Sequence, residues 1–203
     1  MEVKTIVVIG AGPTGCDIAY AAVLGGYVTV LEDLCPEALE KAVAYIRQLL
    51  DRRFMLGEAE SGIRGPDRAL LSTASKVQEA IRDADLIIEA VAEEMEMKLE
   101  LFTIFDKFAK PGAIFASASS LSVTEMSDLV VHRERCIGLR FSTPALRPLR
   151  LELVRTPFTS EETVAACREV ARRLGREVVA IKGQQQLKEV TNDARDSLQT
   201  KAG

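Results

Sequence analysis

The sequence has no tryptophan, a single histidine and only 5% aromatic residues. One histidine excludes any site built on several imidazoles. The four cysteines, Cys16, Cys35, Cys136 and Cys167, stand far apart with no CxxC spacing, so no metal site is expected. Each lies in an apolar context, as expected for small buried thiols in a reducing cytosol. A basic excess is also missing. Twenty-six Lys and Arg face 30 Asp and Glu, for a net charge of −4, and the cations form no block. Nucleic acid and anionic membrane surfaces are therefore not expected as partners. No apolar run approaches the ~20 residues of a membrane span. The opening MEVKTIVVIGAG meets glycines too soon for a signal peptide, and the expected location is cytoplasmic. No internal repeat is apparent.

What is present is a regular alternation. Short apolar, β-branched runs at 4–9, 27–31, 70–73, 85–91, 113–117, 135–139, 151–154 and 177–181 predict strands. Between them, helical spacing predicts helices over 13–24, 36–54, 75–82 (capped by Ser75), 93–109, 123–129 and 160–174. A polar Gly/Pro loop occupies 57–68. This pattern predicts an α/β fold: a doubly wound, Rossmann-type, mostly parallel sheet with flanking helices, the later strands pairing antiparallel. The 203 residues suffice for one core, set at 1–182. Residues 183–203 read as a polar tail whose Leu187, Val190, Ala194 and Leu198 line one face of a short helix.

After the first strand comes Gly10-Ala-Gly12-Pro13-Thr14-Gly15, and Asp33 ends the next strand 18 residues beyond Gly15. A lone GxGxxG carries little weight. Here it follows a strand, opens a helix and lies in a βαβ unit. Gly10 permits the tight turn, Gly12 lets a pyrophosphate approach the backbone, and Gly15 lets helix and strand pack closely. The helix amino end offers N–H groups and a positive dipole to the anion. Asp33 would accept from the adenosine ribose hydroxyls and repel a 2′-phosphate, which favours NAD over NADP. FAD is the other dinucleotide to weigh, but the chain is short for a flavin enclosure.

The segments GAGPTGCDIA, VTVLED, DADLIIEAVAEEMEMKLELF, IFASASSLSVT, GLRFSTP and LRLELV occur in an order that resembles the L-3-hydroxyacyl-CoA dehydrogenases, over about residues 3–182. The resemblance implies that NAD lies along the backbone of Ala90 and Val91. Glu93 and Lys98 would line its nicotinamide half, with Ser117 beside the cofactor. It implies that Ser119 hydrogen-bonds the substrate oxygen, that Glu152 is the acid that orients the catalytic histidine, and that Arg52 and Arg53 sit near an approach for CoA phosphates. Their simpler reading is a solvated helix end. An acyl-CoA or another anionic small molecule is the implied second ligand, and a homo-oligomer is compatible.

Three departures accompany the matches. Where that family has His-Phe-Phe-Asn-Pro, the chain has Arg140-Phe-Ser-Thr143-Pro144. Its Ser-Asn-Thr-Ser-Ser is one residue short here, as Ser117-Ala-Ser119-Ser120. The segment leading to its helical second domain is replaced by Gly183-Gln-Gln-Gln. A histidine paired with a carboxylate can take the hydroxyl proton near neutral pH, whereas arginine cannot. His132, eight residues before position 140, is a poor substitute. Arg140 and Glu152 read instead as an ion pair or as a clamp for an anionic group. Three functions stay open: a working dehydrogenase with an unusual base, a silent NAD-binding protein, and a dehydrogenase for another anionic hydroxy acid.

Overall fold

A computed structural model describes residues 2–55, 68–142 and 149–181. The chain alternates β1 (Thr5–Ile9), α1 (Pro13–Leu24), β2 (Val28–Glu32), α2 (Pro36–Met55), β3 (Leu71–Ala74), α3 (Val77–Ala80), β4 (Leu86–Glu89), α4 (Met95–Phe108), β5 (Ile114–Ser117), α5 (Val123–Ser127), β6 (Cys136–Phe141), β7 (Arg150–Arg155), α6 (Glu161–Arg173) and β8 (Glu177–Ile181). One eight-stranded sheet runs β3-β2-β1-β4-β5-β6-β7-β8. Pairing is parallel from β3 through β6. Among the described residues only the β6–β7 pair is antiparallel, and β7–β8 is parallel again. The expected doubly wound sheet is thus present, with its antiparallel element confined to one pair. The chain crosses over between β3 and β4, so strand order reverses beside β1, and the crevice in which such sheets bind ligands lies outside the carboxyl ends of the paired β1 and β4.

Burial on both faces explains the near-continuous apolar strands. Ile6 and Val8 of β1 pack with Ile18, Ala19 and Ala22 of α1, Ile46 of α2 and Val170 of α6. Val7 and Ile9 pack on the opposite face with Ile81, Phe102, Phe105 and Met126. Phe105 lies between Phe102 and Phe115, with ring centroids 5.5 and 5.9 Å away, and seats α4 on β5.

Several sequence expectations are corrected. Helix α3 starts at Val77, after Lys76, with no side-chain cap; Ser75 does not cap it. Helix α4 starts at Met95 because the Glu93 side chain is taken by the serine turn after β5. Three cysteines are buried, and burial pushes the Cys136 and Cys167 thiols up to about 12. Cys35, expected to be buried, is exposed, its thiol 3.2 Å from Glu37 Oε2. Thr143, Pro144, most of the 57–68 loop and the expected tail helix over 183–203 lie outside the described residues.

Because Phe105 is fully buried among aromatic rings, Phe105→Ala should cost about 3–5 kcal/mol in urea unfolding without shifting the ligand crevice.

Candidate dinucleotide and substrate site

The glycine turn between β1 and α1 owes its shape to three different constraints. Gly10 has φ +107°, and its N–H donates to Glu32 O at 2.8 Å. A Cβ at Gly15 would fall 1.8 Å from the Gly10 carbonyl oxygen, so the helix can rest on this turn only without a side chain there. A Cβ at Gly12 would meet nothing within 4 Å. The space before α1 is therefore open, and Pro13 and Thr14 are exposed beside it. No side chain caps α1, which leaves its amino end available to an anion.

Asp33 holds the turn against β2. Its Oδ2 accepts from Ala11 N and its Oδ1 from Cys35 N, each at 2.8 Å. A carboxylate has further lone pairs for ribose hydroxyls, so positioning the turn and binding sugar are compatible. Sequence reasoning passed over Glu32, one residue earlier. Glu32 is 1% exposed, and its Oε1 has no hydrogen-bond partner. Burial, helped by the Asp33 charge, raises its carboxyl to about 7. Gly10, Gly12, Glu32, Asp33, Ala90 and Val91 line one cavity of about 680 Å³. An open cradle at a helix amino end, an acid at the end of the next strand and a cavity of this size fit a dinucleotide.

A chain of buried charges and hydroxyls continues along the carboxyl ends of β4 and β5. Glu89 and Lys98 are both fully buried and pair at 2.7 Å. Glu89 also accepts from Val91 N at 2.8 Å and from Ser117 Oγ at 2.6 Å. The Lys98 ammonium reaches Val91 O at 3.2 Å and Glu93 Oε2 at 3.7 Å. Ser119 Oγ donates to Glu93 Oε2, and Ser120 N donates to Glu93 Oε1 at 3.1 Å. Burial works to raise the Glu93 carboxyl, but the hydrogen bonds from Ser119 and Ser120 and the Lys98 charge outweigh it and hold it below the usual range. Glu89, which organises this chain, was missed in the sequence. A glutamate closing the apolar LIIE strand, nine residues before a lysine in an apolar helix face, was the available signal.

Arg140 does not pair with Glu152. The two are direct partners in the β6–β7 register, yet Arg140 Nε donates to Ser119 O at 3.2 Å and Nη2 to Ser120 O at 2.9 Å. The guanidinium turns to two carbonyls of the serine turn because they present a pair of acceptors to its side-on fork. The expected ion pair is therefore corrected. Ser119, 6% exposed, spends its hydroxyl proton on Glu93. His132 lies before the amino end of β6, away from Arg140, with Nδ1 3.3 Å from Glu134 Oε1. Arg52 and Arg53 end α2 as the sequence suggested, and Arg52 is exposed.

Sheet order, crevice, glycine turn and acidic strand end together define the dinucleotide-binding domain of a dehydrogenase. A family model described as "3-hydroxyacyl-CoA dehydrogenase, NAD binding domain" matches residues 5–184, and the chain belongs to this family. Its cofactor is NAD. The chain is 32% identical over 186 residues to the mitochondrial hydroxyacyl-coenzyme A dehydrogenase of Sus scrofa, covering 89% of this chain and 59% of that protein. It is 34% identical over 187 residues to a probable 3-hydroxybutyryl-CoA dehydrogenase of Bacillus subtilis, covering 89% and 63%. Among solved structures, 3-hydroxybutyryl-CoA dehydrogenase from Escherichia coli superposes with TM-score 0.82 at 30% identity, over 90% of this chain and 39% of that one. FadB2 of M. tuberculosis superposes with TM-score 0.81 at 27% identity, over 91% and 65%. The chain thus spans about three fifths of the length of the curated relatives.

Two measurements test this electrostatic description. Lys98→Met leaves Glu89 buried without its cation and should cost about 3–5 kcal/mol in chemical unfolding. For Glu32 the sign runs the other way. Its folded value of about 7 lies above the ordinary 4.5, so the unfolded chain releases the proton first and stability falls as pH rises between these values. Glu32→Gln removes that loss. It should make the protein more stable than the wild type above pH 7, by at most about 3 kcal/mol, with the advantage gone at pH 4.

Proposed function

We propose that the chain is an NAD-binding domain that does not, by itself, oxidise 3-hydroxyacyl-CoA at an ordinary rate. One observation carries the proposal: Arg140, at the position that corresponds to the family's base, spends its Nε and Nη2 on the carbonyls of Ser119 and Ser120. When bound, NAD accepts a hydride from the carbon that bears a hydroxyl group, and the hydroxyl proton must leave with it. An arginine side chain offers hydrogen-bond donors and no acceptor, so it is not a proton-accepting base. Ser119, the residue that would meet the substrate oxygen, already donates to Glu93. Loss of a positioned general base typically costs about 10²–10⁴ in rate.

The same bonds take the side-on Nε–Nη2 face of Arg140, so an anionic substrate would have to use its end-on Nη1–Nη2 face. Arg140 reads better as a brace that fixes the serine turn beside Glu93. An acyl-CoA or another anionic small molecule as second ligand belongs to the same proposal, supported by the names of the relatives, and a homo-oligomer is compatible with it. A reducing compartment, the cytoplasm, completes the reading, as all four cysteines are free.

Calorimetry with NAD should give one saturable site. Steady-state assays with NADH and acetoacetyl-CoA should show turnover at least about a hundredfold below that of a dehydrogenase with its histidine base. An ordinary rate would overturn the silent reading and would require a base other than residue 140.

A further inference from the structure

We propose that Glu32 recognises the adenine base of NAD, its carboxyl binding in the protonated form to the base's donor–acceptor edge while Asp33 takes the ribose. The inference rests on the NAD-binding reading and deepens it. Asp33 explains the sugar, but nothing described so far explains why a second carboxyl is buried next to it.

Glu32 closes β2 between two partners in register, Ile9 of β1 and Ala74 of β3. Its side chain therefore shares a face with Val30, under α3 and α4, where the cavity walls are Val77, Leu101 and Ile104. Those apolar walls suit a flat ring. Of the side chains that line the cavity, Glu32 holds the buried polar atom without a partner, Oε1. Such an atom is costly in an empty site and is relieved when a ligand supplies its complement. A ring with hydrogen-bonding edges, held between Val77 and Leu101, would do so.

The charges around Glu32 favour its neutral form. Just past the end of β2, Asp33 adds a second negative charge, and α4 contributes Glu100 to the lining. The lining cation, Lys76 at the start of α3, is already paired with Glu79 at 2.9 Å. Strand β1 brings only Ile9 and Gly10. Burial, with the Asp33 charge, is why the carboxyl sits at about 7 instead of 4.5. A neutral carboxyl offers one O–H donor and one carbonyl acceptor side by side. Adenine presents a ring nitrogen acceptor beside its exocyclic N–H donor, the edge that the donor–acceptor pair of a Gln or Asn amide also reads. An ionised carboxylate loses the donor and leaves the ring nitrogen unpaired.

The test is titration calorimetry with NAD from about pH 6 to pH 8.5, for the wild type, Glu32→Gln and Glu32→Leu, with melting curves to show that each variant is folded. Wild-type affinity should be highest at the acid end and fall about tenfold at the alkaline end, as the binding form loses its proton. Glu32→Gln keeps a donor and an acceptor without titrating, so it should bind with a flat pH profile near the wild-type acid value. Glu32→Leu should bind about tenfold more weakly at the acid end. A dinucleotide carrying 1,N6-ethenoadenine, which lacks this edge, separates base from sugar: the wild type should bind it more weakly than NAD, and Glu32→Leu should lose most of that preference. A flat wild-type profile, a pH dependence that survives in Glu32→Gln, or equal preference for ethenoadenine in the wild type and Glu32→Leu would each overturn the role of Glu32. Absence of NAD binding by the folded wild type at every pH would instead overturn the NAD-site reading on which it stands.

Discussion

The rest of the site depends on one close approach. Helix α1 leaves the sheet at a turn so tight that Gly15 faces the Gly10 carbonyl, and any side chain at residue 15 would collide with backbone. Seated there, the helix puts its uncapped amino end over open space at Gly12, which is the electrostatic feature a pyrophosphate needs. Asp33 locks the arrangement by accepting from the amide of Ala11 as well as from Cys35. A residue read as a ligand contact is thus also what holds the turn at the right height above β2. Any change at Asp33 would therefore disturb the turn itself.

A second constraint runs from Glu89 to Arg140. Buried ions are tolerable only when every charge and hydrogen-bonding position is answered. Lys98 meets Glu89, Val91 O and Glu93. Glu93 meets Ser119 and Ser120, whose carbonyls meet Arg140. The substitution at 140 is therefore not an isolated loss. Its guanidinium completes a network that reaches back to β4, so the serine turn is braced at both its hydroxyl and its carbonyls. Such satisfaction rigidifies the serine turn and commits the Ser119 hydroxyl to Glu93.

Strand and helix identities were largely legible because both faces of the sheet are covered, which turns buried strands into unbroken apolar runs such as IVVI and LII. Boundaries were less legible where a side chain left its own element to serve another. Glu93 looks like helix but belongs to the serine turn, and Ser75 looks like a cap but does not cap α3. The glycine turn and the place of Asp33 beside it could be read because their spacing follows from the turn itself. Glu89 left only the faint signal of its spacing to Lys98, and Glu32 left none, since nothing local distinguishes a glutamate that ends a strand buried from one that ends it in water.

By itself the sequence determined the alternation of elements, the glycine turn, the acid that ends β2 and the absence of an imidazole at position 140. These are local facts of residue type and spacing, set by backbone sterics and by the pKa of a guanidinium. Only the tertiary structure decided where Arg140 turns, which carboxyls are buried and which of them find partners. Those outcomes depend on groups far apart in the chain competing for the same few hydrogen bonds, and the winner is fixed by distance and desolvation after the sheet has assembled.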